Sequence, residues 1–102
     1  MTAAAEAALA GPVLEATPLG RAVAEAILDD STGATLVDRG GYLRVSAPGG
    51  CRVTRASVEA HAGRAIDLRA LLERVMPSFQ GALTIGADAA AWRPHAGAGG
   101  ES

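Results

Sequence analysis

Apolar residues recur at a spacing of four through Leu19, Val23 and Ile27, with Ala22 and Ala26 beside them. Arg21, Glu25 and Asp29 fall on the opposite side. This period predicts an amphipathic helix. Thr17 followed by Pro18 supplies its start, a hydroxyl cap and then a residue whose missing N–H costs nothing in the first turn. Ser31-Thr32-Gly33 ends it near Asp30. Before the helix, Pro12-Val13-Leu14-Glu15 reads as a short strand or extended arm. After it the period changes to two. Tyr42, Arg44 and Ser46 alternate with Leu43, Val45 and Ala47, giving a strand with one core face and one wet face. Thr35-Leu36-Val37-Asp38 precedes it across Arg39-Gly40-Gly41, which is a hairpin signal. Ala47-Pro48-Gly49-Gly50 breaks the chain, and Cys51-Arg52-Val53 is a further pairing segment.

The second half repeats the logic with shorter elements. Thr54 caps a helix over 55–62 that stops at Gly63. Asp67 caps another over 68–75, where Leu68, Leu71, Leu72 and Val75 give the i, i+3, i+4, i+7 stripe and Pro77 ends it. Residues 83–85 and 89–92 read as a last, weak hairpin across Gly86-Ala87-Asp88. The order is β-α-β-β followed by α-α-β-β, with Cys51-Arg52-Val53 between the halves. This is an α+β domain with helices packed on antiparallel sheet. The domain is expected over 11–93, between a flexible N-terminal segment (1–10) and a disordered tail (94–102) that reads P-H-A-G-A-G-G-E-S.

Composition narrows the function classes. At 102 residues the chain makes one domain, and that size buries roughly 65% of its extended-chain surface. All nine basic residues are Arg, and Lys and Asn are absent. With 24 alanines this reads as codon bias rather than as a functional preference. The net charge of −2 argues against a nucleic-acid binder. No apolar run approaches a membrane span, and the N-terminus lacks the basic region of a secretory signal. A single Cys excludes an internal disulfide and fits a reducing cytoplasm.

Candidate chemistry is sparse. A carboxylate-bridged diiron site on helices needs several Glu and two E-x-x-H motifs. The chain has only His61 and His95, and Glu59-Ala60-His61 has the wrong spacing. Cys51 and His61 are the residues from which a thiolate–imidazolium pair could be built. The simpler reading makes them a buried strand residue and a helix-end histidine. Ser46, Ser57 and Ser78 lack a G-x-S-x-G elbow, and neither a P-loop nor G-x-G-x-x-G occurs. Arg39-Gly40-Gly41 resembles an RGG tract, but it occurs once, at a hairpin turn. With three aromatic residues in the chain there is little to stack bases on. Arg21 with Glu25, and Arg69 with Glu73, read as i, i+4 pairs on solvated faces. What remains is Met76-Pro77-Ser78-Phe79-Gln80-Gly81, a loop holding the only Phe. Two readings stay open: the ring tucks into the core, or the loop displays it to a partner.

Four stretches, in order, resemble the effector (coupling or regulatory) proteins of soluble bacterial multicomponent diiron monooxygenases, of the toluene, aromatic and alkene monooxygenase type. They are Gly11-Pro12-Val13-Leu14-Glu15-Ala16 with its helix, and Asp38-Arg39-Gly40-Gly41-Tyr42-Leu43-Arg44-Val45, similar to a D-R-x-x-Y-x-R-I hairpin. Next come residues 54–59 leading through Gly63-Arg64 to Asp67-Leu68, and last Leu72-Glu73 with Pro77-Ser78-Phe79-Gln80-Gly81. The resemblance spans about 11–92. Ile66 departs from the usual aromatic after Gly-Arg, and Ala82-Leu83 stands where Arg-Ile is common.

The resemblance implies a cofactor-free, non-catalytic protein that binds a diiron hydroxylase above its iron-enclosing helices and reshapes the active site. It implies coupling of NADH-derived electrons, delivered by a reductase and a Rieske ferredoxin, to O2-dependent oxidation of an aromatic or alkene hydrocarbon. By analogy Met76, Pro77, Ser78, Phe79, Gln80 and Gly81 lie closest to the hydroxylase, and Arg21 and Glu25 add contacts. Tyr42 and Arg44 are expected to be structural. The free protein is expected to be a cytoplasmic monomer. The alternatives are a small adaptor with no oxygenase role, an enzyme using Cys51 and His61, and an RNA-binding module using Arg39.

Overall fold

The computed structural model describes residues 9–95. The expected flexible segment over 1–8 and the tail beyond 95 lie outside the described residues. The elements are β1 (Leu9–Glu15), α1 (Pro18–Asp30), β2 (Thr35–Asp38), β3 (Tyr42–Pro48), β4 (Cys51–Thr54), α2 (Arg55–Ala62), α3 (Leu68–Val75), β5 (Ser78–Gln80), β6 (Ala82–Ile85) and β7 (Ala89–Arg93). The fold is α+β. All strand pairings are antiparallel and form two sheets, β2-β3-β1-β5 and β4-β7-β6.

The three helices begin and end at their sequence signals. The Oγ1 of Thr17 accepts from the Gly20 amide, that of Thr54 from Ser57, and the Asp67 carboxylate from Ala70. Gly63 closes α2 at φ 76°, the left-handed conformation a glycine adopts freely. Their apolar stripes meet the strands in a core that includes Leu14, Val23, Ile27, Leu43, Val45, Val58, Leu68, Leu72 and Trp92, all 1% exposed or less.

The strands depart from the sequence reading in three places. β1 starts at Leu9, so Leu9 and Ala10 belong to a strand rather than to a flexible segment, and Ala10 is fully buried. β3 runs on to Pro48, into the break expected over Ala47-Pro48-Gly49-Gly50, because Leu9 and Ala10 pair with Pro48 and Ala47. Residues 78–80, read as loop, form β5 along β1, with Phe79 opposite Pro12. None of these added stretches has enough alternation to be seen alone; Leu9 and Ala10 extend β1 by pairing with Pro48 and Ala47, and β5 forms along β1.

Gly11 lets the β3 backbone come close to β1. A Cβ there would lie 2.0 Å from the Val45 carbonyl oxygen. The next residue, Pro12, is fully buried and has no N–H to give β3. Gly50 and Gly81 do similar work where β7 passes: their Cβ atoms would meet the carbonyls of Trp92 and Arg93 at 2.2 and 2.4 Å.

Between the helices, one carboxylate does double duty. α1 ends on Asp29 and Asp30, unfavourable charges at the negative end of a helix dipole. Both are partnered from the next elements. Asp29 Oδ2 lies 2.7 Å from His61 Nε2 of α2. Asp30 accepts the Thr54 amide (2.9 Å) on Oδ2 and the Ser57 hydroxyl (2.9 Å) on Oδ1, at the positive end of α2. Asp30→Ala should therefore cost about 2 kcal/mol of stability, through lost charge-assisted hydrogen bonds and an orphaned Thr54 N–H. Denaturant unfolding followed by emission of the buried Trp92 measures it; a loss under about 0.5 kcal/mol would show that the clamp contributes little.

Candidate functional site

Residues 76–81 lie at an edge of the four-stranded sheet. Met76 is the C-cap of α3, half-buried, with its amide on the Leu72 carbonyl. Pro77 is exposed and stops the helix. Ser78, Phe79 and Gln80 form β5 and are exposed. Phe79 is 43% accessible, one of the large hydrophobic side chains left outside the core. Its ring therefore does not tuck into the interior. Gly81, at φ 98°, ends the strand where the chain passes so close to Arg93 that a Cβ would collide with its carbonyl.

Arg21 and Glu25 are placed elsewhere. Both are exposed on α1. Arg21 Nη2 sits 3.2 Å from Asp38 Oδ2, at the end of β2, so its partner is Asp38 rather than the Glu25 expected from spacing. β2 and β5 are opposite edges of the sheet, three strand spacings or roughly 14 Å apart. The structure thus keeps 76–81 together and sets Arg21 and Glu25 apart from them. The Asp38 carboxyl is held below its ordinary range, first by the Gly40 amide it accepts from and then by Arg21. This is a turn-stabilising role, and Arg39-Gly40-Gly41 is the hairpin turn, with Gly40 at φ 90°. Likewise Arg69 donates to the Ile85 carbonyl at 2.9 Å instead of reaching Glu73.

A groove of about 290 Å³ crosses the open face of this sheet next to β5. Its floor is Gly11 and Val13, and Arg44, Ser46 and Gln80 stand along it. Sequence reasoning put Arg44 on a wet face but found no groove. The lining comes from β1, β3 and β5 together, and only the pairing of β1 with both neighbours brings these residues side by side. A larger cavity of about 470 Å³ lies on the far side, between Arg55, Asp67, Arg69 and Asp88. Its charges are already engaged: Arg55 pairs with Asp88 at 2.9 Å and Asp67 caps α3.

Nucleophilic chemistry finds no support in the geometry. Cys51 is 3% exposed, its Sγ donates to the Ala10 carbonyl at 3.3 Å, and burial pushes its thiol up to about 11. His61 is engaged with Asp29. Each member of the conceivable Cys–His pair thus has a different partner. Among the described residues no group of three His, Cys, Asp or Glu side chains could hold a metal ion. Also among them, no helix is long and apolar enough to cross a membrane.

The accessible features of this small α+β scaffold include a sheet edge, a groove and the exposed Phe79. Residues 8–93 match the MmoB/DmpM family, and the chain belongs to that family. It is 40% identical over 78 residues to the alkene monooxygenase system effector subunit of Xanthobacter autotrophicus, an overlap covering 74% of this chain and 76% of the relative. The chain is accordingly an effector, regulatory component of a monooxygenase system and not its catalyst. The fold is shared with a chain of the phenol hydroxylase–regulatory protein complex (TM-score 0.74, 22% identity, 83% of this chain and 97% of that chain). It is shared also with the soluble methane monooxygenase regulatory protein B (TM-score 0.66, 19% identity, 88% and 67%).

The buried thiol gives two expected outcomes. Alkylation of Cys51 in the native protein should be at least about 100-fold slower than in the denatured chain at neutral pH. The folded chain keeps the proton up to about 11, against an ordinary thiol value of 9.0. The associated stability is complete below pH 9 and is lost as pH rises towards 11. Cys51→Ala should remove that slope in denaturant titrations; an unchanged slope would mean the thiol is not its source.

Proposed function

We propose that this protein binds the hydroxylase component of a diiron monooxygenase and tunes its active site. On this reading it couples NADH-derived electrons, passed by a reductase and a Rieske ferredoxin, to O2-dependent hydroxylation or epoxidation of an aromatic or alkene hydrocarbon. The observation that carries the proposal is the 40% identity to an alkene monooxygenase effector subunit, which favours an alkene among these substrates. Fold relatives solved as phenol hydroxylase–regulatory protein complexes support a hydroxylase as the partner.

The mechanism is thermodynamic. An effector shifts a hydroxylase between states only by its differential affinity for them, and equal affinity shifts nothing. A tenfold change in population takes about 1.4 kcal/mol of preference. A few contacts supply that amount, provided the surface offering them is rigid. The segment 76–81 is suited to this, held by the end of α3 on one side and Gly81 on the other. Phe79 is the anchor, and Ser78 and Gln80 are the hydrogen-bonding groups beside it. Arg21 and Glu25, on the opposite side of the sheet, belong to a secondary contact. The protein acts as a monomer in the cytoplasm.

Titration into a cognate hydroxylase with its electron-transfer chain should raise product formation per NADH consumed, with saturation near one effector per hydroxylase active site. No change in rate or coupling would reject the reading. Phe79→Ala should raise the half-saturating concentration about tenfold, as loss of an interface aromatic does. Its stability should fall by less than about 1 kcal/mol, since the ring is half exposed. An unaltered titration would exclude Phe79 as a contact.

A further inference from the structure

The register of the four-stranded sheet shows which backbone groups remain free. The Ala16 amide donates to the Gly41 carbonyl, in line with the Leu14–Leu43 and Ala10–Ala47 pairs. Even-numbered residues of β1 therefore turn their N–H and C=O towards β3, and odd-numbered ones turn theirs towards β5. Gly11 and Val13 thus exchange hydrogen bonds with Gln80 and Ser78. Phe79, opposite Pro12, must point its own N–H and C=O away from the sheet.

The other edges are treated differently. On β4 the outward Arg52 amide and carbonyl are both taken by the Ser31 hydroxyl, and the Thr54 amide by Asp30. On β6 the Ile85 carbonyl receives Arg69. β2 is flanked by the Arg21–Asp38 ion pair, and charge of this kind discourages strand pairing. β5 has no such cap among the described residues, and no charged residue occurs between Arg74 and Asp88. Among the described residues it is an unprotected edge, and it ends at Gly81, where the chain passes close to Arg93.

We propose that an extended segment of the hydroxylase completes this edge, adding a strand to β5 through the Phe79 N–H and C=O. The proposal rests on the hydroxylase reading above and specifies how that partner is held. The added strand would carry an apolar side chain next to Phe79 and polar ones next to Ser78 and Gln80, because facing residues share a side of the sheet. A second copy of this chain is the weaker occupant. Two three-residue edges paired about Phe79 share two hydrogen bonds and fall well short of the roughly 1,000 Å² that a stable interface needs.

Single-residue amide exchange of the full chain, free and bound to the cognate hydroxylase, tests this. In the free protein the Phe79 amide should exchange fast and those of Ser78 and Gln80 slowly. In the complex Phe79 should slow by at least tenfold while its neighbours change little. Phe79→Pro removes the outward donor without taking a hydrogen bond from β1, and should bind about two- to tenfold more weakly than Phe79→Ala. If the complex forms and stimulates turnover but the Phe79 amide stays fast, the strand-addition proposal is wrong and the hydroxylase reading stands. Protection already present in the free chain would mean that its own terminus or a second copy covers the edge, which also overturns it. Failure to form any complex overturns both.

Discussion

Everything in the fold leans on β1 being flanked on both sides. The strand pairs with β3 along one side and β5 along the other, and its Ala10 carbonyl accepts the thiol of Cys51 from the second sheet. On the β3 side the approach is close, and Gly11-Pro12 accommodates it. Glycine admits the Val45 carbonyl where any Cβ would collide with it. Proline fills the core with its ring and leaves the ladder to β3 without one donor. Remove β1 and no partner is left for β5, and no floor for the groove beside it.

The parts of the structure legible in the sequence are those written in local code. Thr17-Pro18, Thr54 with Gly63, and Asp67 with Pro77 delimit three helices, and each cap forms the hydrogen bond its residue type calls for. The Asp38–Gly41 turn and its two strands are equally local. What could not be read is what a distant partner confers. Ser78-Phe79-Gln80 has no strand pattern of its own, and Leu9-Ala10 reads as more of an alanine-rich end. Both become strands through pairing. Spacing alone also misassigned Arg21 and Arg69, which reach across the fold to Asp38 and Ile85 rather than along their helices. Tertiary neighbours outcompete an i, i+4 pair worth only a few tenths of a kcal/mol.

The candidate site is hard to see in sequence for a related reason. Catalytic sites announce themselves through unusual side chains, and the accessible surface here has few. A protein that acts by preferential binding needs only shape and a small set of contacts, and some of those contacts are main-chain groups that every residue has. Phe79 is exposed, as are Val37 and Tyr42, and its place just after a helix-ending Pro is the signal the sequence offers. Whether an edge is open or closed follows from register, which no single strand encodes.

The Asp30 carboxylate ties the last turn of α1 to the first turn of α2, and Ser31 ties the same place to β4. Neither helix end can fray without breaking bonds that the other uses. This side of the molecule should therefore behave as one cooperative unit, with an opening free energy close to that of global unfolding.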